Sequence, residues 1–266
     1  MAHGDGSPPV KTTRTSLDVL DVVRDADGTR LRDVMDELGL AKSTAHKHLT
    51  TLEDAGYLLK EGETYHLGMK LLNLGEHARE RWSWYTEATN AVDELTERTD
   101  EECDFVVEDR GRIITIAESY HKWVKFGERG SSKRYRAYIG TYYPMHATAT
   151  GLAILATYPS ERVDAVIDRW GLPAMTDSTI TTRAALFEEL ARVDERGYAV
   201  DDEYYTDGLR SVAKAVTGPD GSVLGSLGVS GPTYHVDGPV LESELPRALV
   251  DVVESLESEL TTTDGE

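Results

Sequence analysis

The fifteen residues from Leu38 to Leu52, Leu-Gly-Leu-Ala-Lys-Ser-Thr-Ala-His-Lys-His-Leu-Thr-Thr-Leu, contain no Asp or Glu in a chain that carries 48 of them. They hold Lys42, Lys47, His46 and His48, with the hydroxyls of Ser43, Thr44 and Thr50. Ammonium groups pair with phosphate, and short hydroxyl and imidazole side chains hydrogen-bond to phosphate oxygens and base edges, so this set fits contact with a polyanion. Other chemistries are weaker. His146 has the side chain of a general base, but no Ser or Cys in a nucleophile-elbow context accompanies it. Asp201, Asp202 and Glu203 carry donors for a divalent metal, yet in so acidic a chain such a triplet is usually solvated surface. Asp27-Gly and Asp220-Gly read as turns, and no Gly-rich phosphate loop with Lys occurs. The sequence therefore predicts no catalytic residue, no metal site and no cofactor, and a protein that is not an enzyme.

The polyanion-facing side chains need a helix to present them. On a helix over 41–55, Ala45, Leu49 and Leu52 recur at i, i+4 and i+7 as a buried stripe with His48 beside them, leaving Ser43, His46, Lys47 and Thr50 on the opposite face. Upstream, Leu31, Val34, Met35 and Leu38 repeat at helical spacing up to Gly39. Helix, short Gly-containing turn and helix is the helix-turn-helix pattern. Tyr57-Leu58-Leu59 and Tyr65-His66-Leu67 flank Lys60-Glu61-Gly62-Glu63-Thr64 as a hairpin, which makes the unit a winged helix-turn-helix. A recognition helix enters the major groove by its N-terminal residues, so Lys42, Ser43, Thr44, His46, Lys47 and Thr50 are the candidate DNA contacts. The wing tip carries Glu61 and Glu63, so Lys60 is the one wing residue able to approach phosphate. The plainer reading is a solvated helix pair.

Composition bounds the rest. A length of 266 residues suggests two domains, each able to own a core. No apolar run long enough to span a bilayer and no signal-peptide core are present, so the expectation is a cytoplasmic protein with no membrane partner. The single Cys103 excludes an internal disulfide and a cysteine-cluster zinc site. Net charge is −20, which argues against nucleic acid until it is divided along the chain. Residues 1–70 hold 9 Lys and Arg against 12 Asp and Glu, whereas residues 71–266 hold 19 against 36. The acid lies mostly away from the helix pair, and its dominance over Lys resembles the halophilic composition of proteins adapted to internal salt.

In chain order, residues 1–11 read as disordered and 12–68 as the winged helix-turn-helix, in which Thr15 or Ser16 caps a first helix facing the core with Leu17, Leu20 and Val23. Residues 69–84 read as a linker helix, interrupted at Gly75 and at Trp82-Ser83-Trp84, and 85–262 as a second domain. That domain has a hairpin of strands 103–108 and 112–118, loops with a short strand over 127–143, and helices over 149–157, 161–170 and 182–196. Strands over 210–217 and 222–230 and a final helix over 241–260 complete it. Strands, then helices, then strands give an α+β class with a mostly antiparallel sheet.

Four segments in this order and spacing, Leu40-Ala-Lys-Ser-Thr-Ala-His-Lys-His-Leu49, Pro144-Met-His-Ala-Thr-Ala-Thr-Gly151, Arg196-Gly-Tyr-Ala-Val-Asp-Asp-Glu203 and Gly228-Val-Ser-Gly-Pro232, resemble the IclR family of transcriptional regulators over roughly residues 14–260. The resemblance implies a GAF-like effector-binding domain after the linker helix. It also implies homodimers, often paired into tetramers, on a palindromic double-stranded DNA operator, with a small organic molecule altering that binding. It further implies an effector pocket lined by Ala149 and Thr150, Asp201, Ser211, Gly228 and Ser230. Ser211 stands where the family frequently has Cys, Gly228 where a small polar residue is usual, Leu152 where Lys is common, and Lys47 where Arg is common.

Between Ser119 and Gly151 the only acid is Glu128, against Lys122, Lys125, Arg129, Lys133, Arg134 and Arg136. This local reversal of charge leads into the helix opening at Ala149, whose N-terminus favours negative charge. The expectation is an anionic effector, a small carboxylate, with Arg129 and Arg134 contributing. A functional alternative is a ligand-sensing or scaffolding module whose helix-turn-helix serves dimerisation alone. The acid-free polar face argues against it, because a buried interface favours apolar groups.

Overall fold

The computed structural model describes residues 8–120 and 139–263. The chain divides into two compact units, Met1–Trp82 and Ser83–Glu266.

In the first unit, α1 (Lys11–Asp25), α2 (Leu31–Leu38) and α3 (Lys42–Asp54) enclose a core, and β1 (Thr29–Arg30), β2 (Leu58–Glu61) and β3 (Thr64–Leu67) form a small antiparallel sheet in the order β1-β3-β2. The core is Val19, Val23, Val34, Ala45, Leu49, Leu52, Leu58 and Tyr65, drawn from every element except β1. Burying a Val or Leu side chain stabilises by about 1.5–3 kcal/mol, so this set fixes how α3 sits on its neighbours. Three expectations are corrected. Lys11, expected at the end of a disordered stretch, instead opens α1. Thr15 and Ser16 do not cap it; their hydroxyls donate to the carbonyls of Lys11 and Thr12, and Val10 is the N-terminal boundary. Leu17 is exposed while Val19 is buried, because α1 turns to the core the face of Val19 and Val23, four residues apart. The short β1 has no sequence signal of its own and exists through its pairing, Thr29 with Tyr65 and Arg30 with Thr64. After the wing, α4 (Lys70–Arg79) is shorter than the expected linker helix, and none of its residues is buried.

The second unit is α+β. α5 (Tyr85–Thr99) precedes the hairpin β4 (Glu102–Asp109) and β5 (Arg112–Ser119). β6 (Tyr142–Pro144) and a 3-10 turn (Met145–Ala147) lead into α6 (Ala149–Ala156), α7 (Ser160–Trp170) and α8 (Arg183–Arg196). β7 (Ala199–Asp202), β8 (Leu209–Thr217) and β9 (Val223–Pro232) follow, and α9 (Leu245–Thr263) closes the chain after one π turn. The sheet order is β6-β5-β4-β9-β8-β7, every pairing antiparallel. The strand β7, which the sequence reading left unassigned, pairs Asp201 with Ser211 at the sheet edge.

Alternation sorts the strands onto two layers. Val106, Ala199 and Ala213 share a core with Leu152, Leu155 and Leu186 of α6 and α8. α6 carries Leu152, Ile154 and Leu155 at 0–1% exposure, as a helix apolar on all sides must be when it lies between a sheet and another helix. Trp84 packs on Phe105 at 5.6 Å between ring centres. Cys103 is fully buried, which pushes its thiol up to about 12 and leaves it unreactive. Among the described residues no helix is long and apolar enough to cross a membrane.

Candidate nucleic-acid interface and effector site

α3 presents the polar set as the helical spacing requires. Ala45, His48, Leu49 and Leu52 are buried, while Lys42, Ser43, Thr44, His46 and Lys47 are exposed and Thr50 is half-buried. Thr50 Oγ1 lies 3.5 Å from His46 Nδ1, one turn away on the outer face. His48 is turned inward, where its Nδ1 meets Ser16 Oγ at 2.8 Å and ties α3 to α1. Two residues, Leu40 and Ala41, follow Gly39 before α3 begins, so α2 and α3 form a helix-turn-helix. In the wing, Lys60 is exposed and its ammonium sits 5.1 Å from the centre of the Tyr65 ring, its cross-strand neighbour. That contact holds the cation at the wing without a carboxylate partner among the described residues.

The residues expected at the effector pocket converge on one end of the six-stranded sheet. Cross-strand partners share a face, which places Ser230, Ser211 and Asp201 in one row and Asp104, Gly228 and Ala213 in the next. Over the second row stands the start of α6, where Thr148 caps the helix by accepting from the Gly151 amide at 3.1 Å. A methyl group on Gly228 would lie 2.6 Å from Thr150 Cγ2 and 3.0 Å from Asp104 Oδ1, so only glycine fits beneath these two side chains. Gly151 is held as closely from the other side, where a methyl would fall 2.3 Å from the Met145 carbonyl oxygen. Ser230 donates to Ser211 at 2.9 Å. Asp201 accepts from the Tyr204 amide at 2.6 Å.

The electrostatics of this end come from carboxyls. Burial raises Asp201 to about 7 against the pull of the Tyr204 and Tyr205 amides, and burial with Glu118 beside it raises Asp104 to about 7 as well. Asp104 and Glu118 are the acids the sequence reading missed. The available signal was an acid between Cys103 and Phe105 inside an otherwise apolar strand. Asp201 is 2% exposed, not solvated, and its neighbours turn elsewhere: Asp202 pairs with Arg210 at 2.6 Å and Glu203 accepts from the Gly208 amide at 2.7 Å. The triplet therefore does not converge on one point, and no group of three metal-ligating side chains occurs among the described residues. Arg129 and Arg134 lie outside the described residues. His146 is buried, its Nε2 donating to the Pro173 carbonyl at 3.1 Å, and burial lowers its pKa.

A helix-turn-helix with a small sheet and, in the same chain, an α+β unit with a curled antiparallel sheet define a ligand-responsive DNA-binding regulator. Residues 80–257 match the family described as Bacterial transcriptional regulator IclR C-terminal, and residues 15–62 match the IclR helix-turn-helix domain. The chain belongs to the IclR family: it is a DNA-binding transcriptional regulator with an effector-binding C-terminal domain, and not an enzyme. It is similar to the probable HTH-type transcriptional regulator ArcR of Halobacterium salinarum, 27% identical over 264 residues that cover 98% of each chain. The transcriptional repressor IclR of Escherichia coli is 28% identical over 244 residues, 89% of this chain and 85% of that one. The crystal structure of an IclR homologue from Microbacterium hydrocarbonoxydans, complexed with 4-hydroxybenzoate, has the same fold at a TM-score of 0.77 and 21% identity, covering 94% of this chain and 99% of that one.

Proposed function

We propose that the chain acts as a homodimer, or as a tetramer built from two dimers, that reads a palindromic operator through the N-terminal half of α3. The observation that carries this reading is the acid-free exposed set Lys42, Ser43, Thr44, His46 and Lys47, continued by Thr50, on a helix whose other side is fully committed to the core. Lys42, Lys47 and Lys60 serve phosphates, while Ser43, Thr44, His46 and Thr50 reach base edges. Self-association is supported by α4 and its approach, where Met69, Leu72 and Leu74 are 74%, 54% and 44% exposed in the single chain. A gel-shift against a symmetric site and against each half-site tests the reading. Retardation of the full palindrome with much weaker retardation of a half-site is expected. Failure to retard any duplex would favour a helix-turn-helix used for dimerisation alone.

The effector site is the end of the sheet under α6, with Ala149, Thr150, Gly228, Ser230, Ser211 and Asp201 as its walls and Asp104 as an added member. A small carboxylate is the proposed ligand class, supported by the N-terminus of α6, whose dipole favours negative charge, and by the 4-hydroxybenzoate complex of the Microbacterium homologue. In this chain such a ligand is compatible with Asp104 and Asp201 only in their neutral forms, in which each donates a hydrogen bond in place of repelling the anion. Affinity for a carboxylate then falls as pH rises through about 7, because binding retains protons that the free site is losing. Isothermal titration of 4-hydroxybenzoate at pH 6 and pH 8 reads the sign directly; equal or tighter binding at pH 8 would mean that the charges of Asp104 and Asp201 do not face the ligand, and would overturn this reading.

A further inference from the structure

A second cavity, of about 230 Å³, lies between the β5–β6 edge of the sheet and α7, and none of the effector-site residues lines it. Its walls are apolar, with Met145, Leu155, Val163 and Leu186 among them, and Arg112 is the single charged residue in its lining among the described residues. Among the described residues no Asp or Glu lines this space, in a chain with 48 of them. Arg112 sits at the first position of β5, and Glu118 of the effector end is six residues further along the strand, roughly 20 Å away.

Among the described residues the guanidinium is held but not neutralised. Its carbon lies 4.3 Å from the centre of the Tyr142 ring and 4.6 Å from that of Trp170, a clamp between two aromatic rings. Both rings are anchored in turn: Tyr142 donates to Asp109 at 2.6 Å and Trp170 donates to the Arg110 carbonyl at 2.8 Å. Asp109, the cross-strand partner of Arg112, is thereby turned to the Tyr142 hydroxyl and lies 3.9 Å from Arg110. No ion pair or hydrogen bond reaches the Arg112 side chain among the described residues, and its Nε is buried without an acceptor. His146, also in the wall, gives its Nε2 proton to the Pro173 carbonyl.

We propose that this cavity binds a small apolar monocarboxylate of about the size of one six-membered ring, its carboxylate paired with Arg112 and its hydrocarbon body against the α6–α7 wall. The size follows from comparison with the cavity of about 150 Å³ that suffices for benzene in another protein, so 230 Å³ admits a ring and one carboxylate. The charge follows from Arg112, whose planar donors match a carboxylate and whose orientation the two rings fix beforehand. The site is distinct from the effector end, but chain continuity links them: Met145 and His146 stand in the cavity wall and Ala149 opens α6 three residues later.

Isothermal titration of the full chain with benzoate, benzamide and benzyl alcohol tests the proposal. Benzoate is expected to fill one equivalent per chain at this cavity, beyond any binding at the effector end, with Kd on the order of 1 mM or tighter, and the two neutral analogues are expected to bind there at least tenfold more weakly. Arg112→Gln should weaken benzoate at least tenfold. Val166→Phe, which fills the cavity and keeps the charge, should abolish the same binding and serves where the first variant does not fold. Benzoate affinity unchanged in both variants would place its binding elsewhere and overturn the proposal. So would equal affinity for benzamide, or no heat from benzoate at millimolar concentrations.

Discussion

Asp104→Asn should make the protein more stable at alkaline pH and leave it nearly unchanged at acid pH. The Asp104 carboxyl is 9% exposed, accepts no hydrogen bond among the described residues and faces Glu118, so its charged form is opposed both by desolvation and by a like charge. Its pKa rises from the ordinary 3.8 to about 7. Between those values the folded chain holds a proton that the unfolded chain has lost, so stability falls as pH rises from about 4 to 7 and then levels off. The difference corresponds to ~4 kcal/mol at full effect, an upper bound because water reaches part of the carboxyl. Asparagine has the same shape without the charge, and its unpaired amide returns about 1–3 kcal/mol of that gain as a desolvation cost. The net expectation is a variant more stable by about 1–3 kcal/mol at pH 8.5, or roughly 2–12 °C in Tm for a unit of this size, and equal to the parent within about 1 kcal/mol at pH 5. Thermal unfolding followed by circular dichroism at the two pH values measures it. A variant less stable than the parent at pH 8.5 would show that the charged carboxylate has a partner, and the reasoning would be wrong.

Three further outcomes follow from the geometry. Ser43→Ala or Thr50→Ala should cost about 1–3 kcal/mol on the cognate operator and little on random duplex, whereas Lys47→Ala should weaken both, as read by fluorescence anisotropy; equal losses on both duplexes for Ser43 and Thr50 would remove them from base reading. Gly151→Ala brings a methyl to within 2.3 Å of a backbone oxygen that cannot yield, so the second unit should lose about 3 kcal/mol or more in urea unfolding, and a loss under 1 kcal/mol would refute the close packing of α6 on the Met145 turn. With only Lys42, Lys47 and Lys60 proposed on phosphates, the salt slope should be shallow and specific binding should persist in molar KCl; release by a few tenths molar salt with the fold intact would contradict that count.

The sequence by itself determined what depends on near neighbours in the chain. Leu49 and Leu52 follow Ala45 at helical spacing, so the same residues that bury α3 also dictate that Lys42, Ser43, His46 and Lys47 point away from the core, and both halves of the reading come from one short window. The strands were legible for the same reason, except β1 of the first unit and β7 of the second, whose few residues gain strand geometry only from a partner. Helix starts were less legible: Thr15 and Ser16 have the chemistry of caps, but a helix begun at Lys11 turned their hydroxyls to the preceding turn. Tertiary structure alone decided which distant residues meet. Asp104 reaches Glu118 and Gly228 through strand register, and Gly228 admits Thr150 only because α6 crosses the sheet there. The basic run after Ser119 pointed to an anion site, while the fold set buried carboxyls at the effector end and, between Tyr142 and Trp170 at the other end of β5, an Arg112 without an ion-pair partner among the described residues. Cross-strand register and helix docking are set by packing summed over the whole sheet, and no local pattern in the chain encodes that sum.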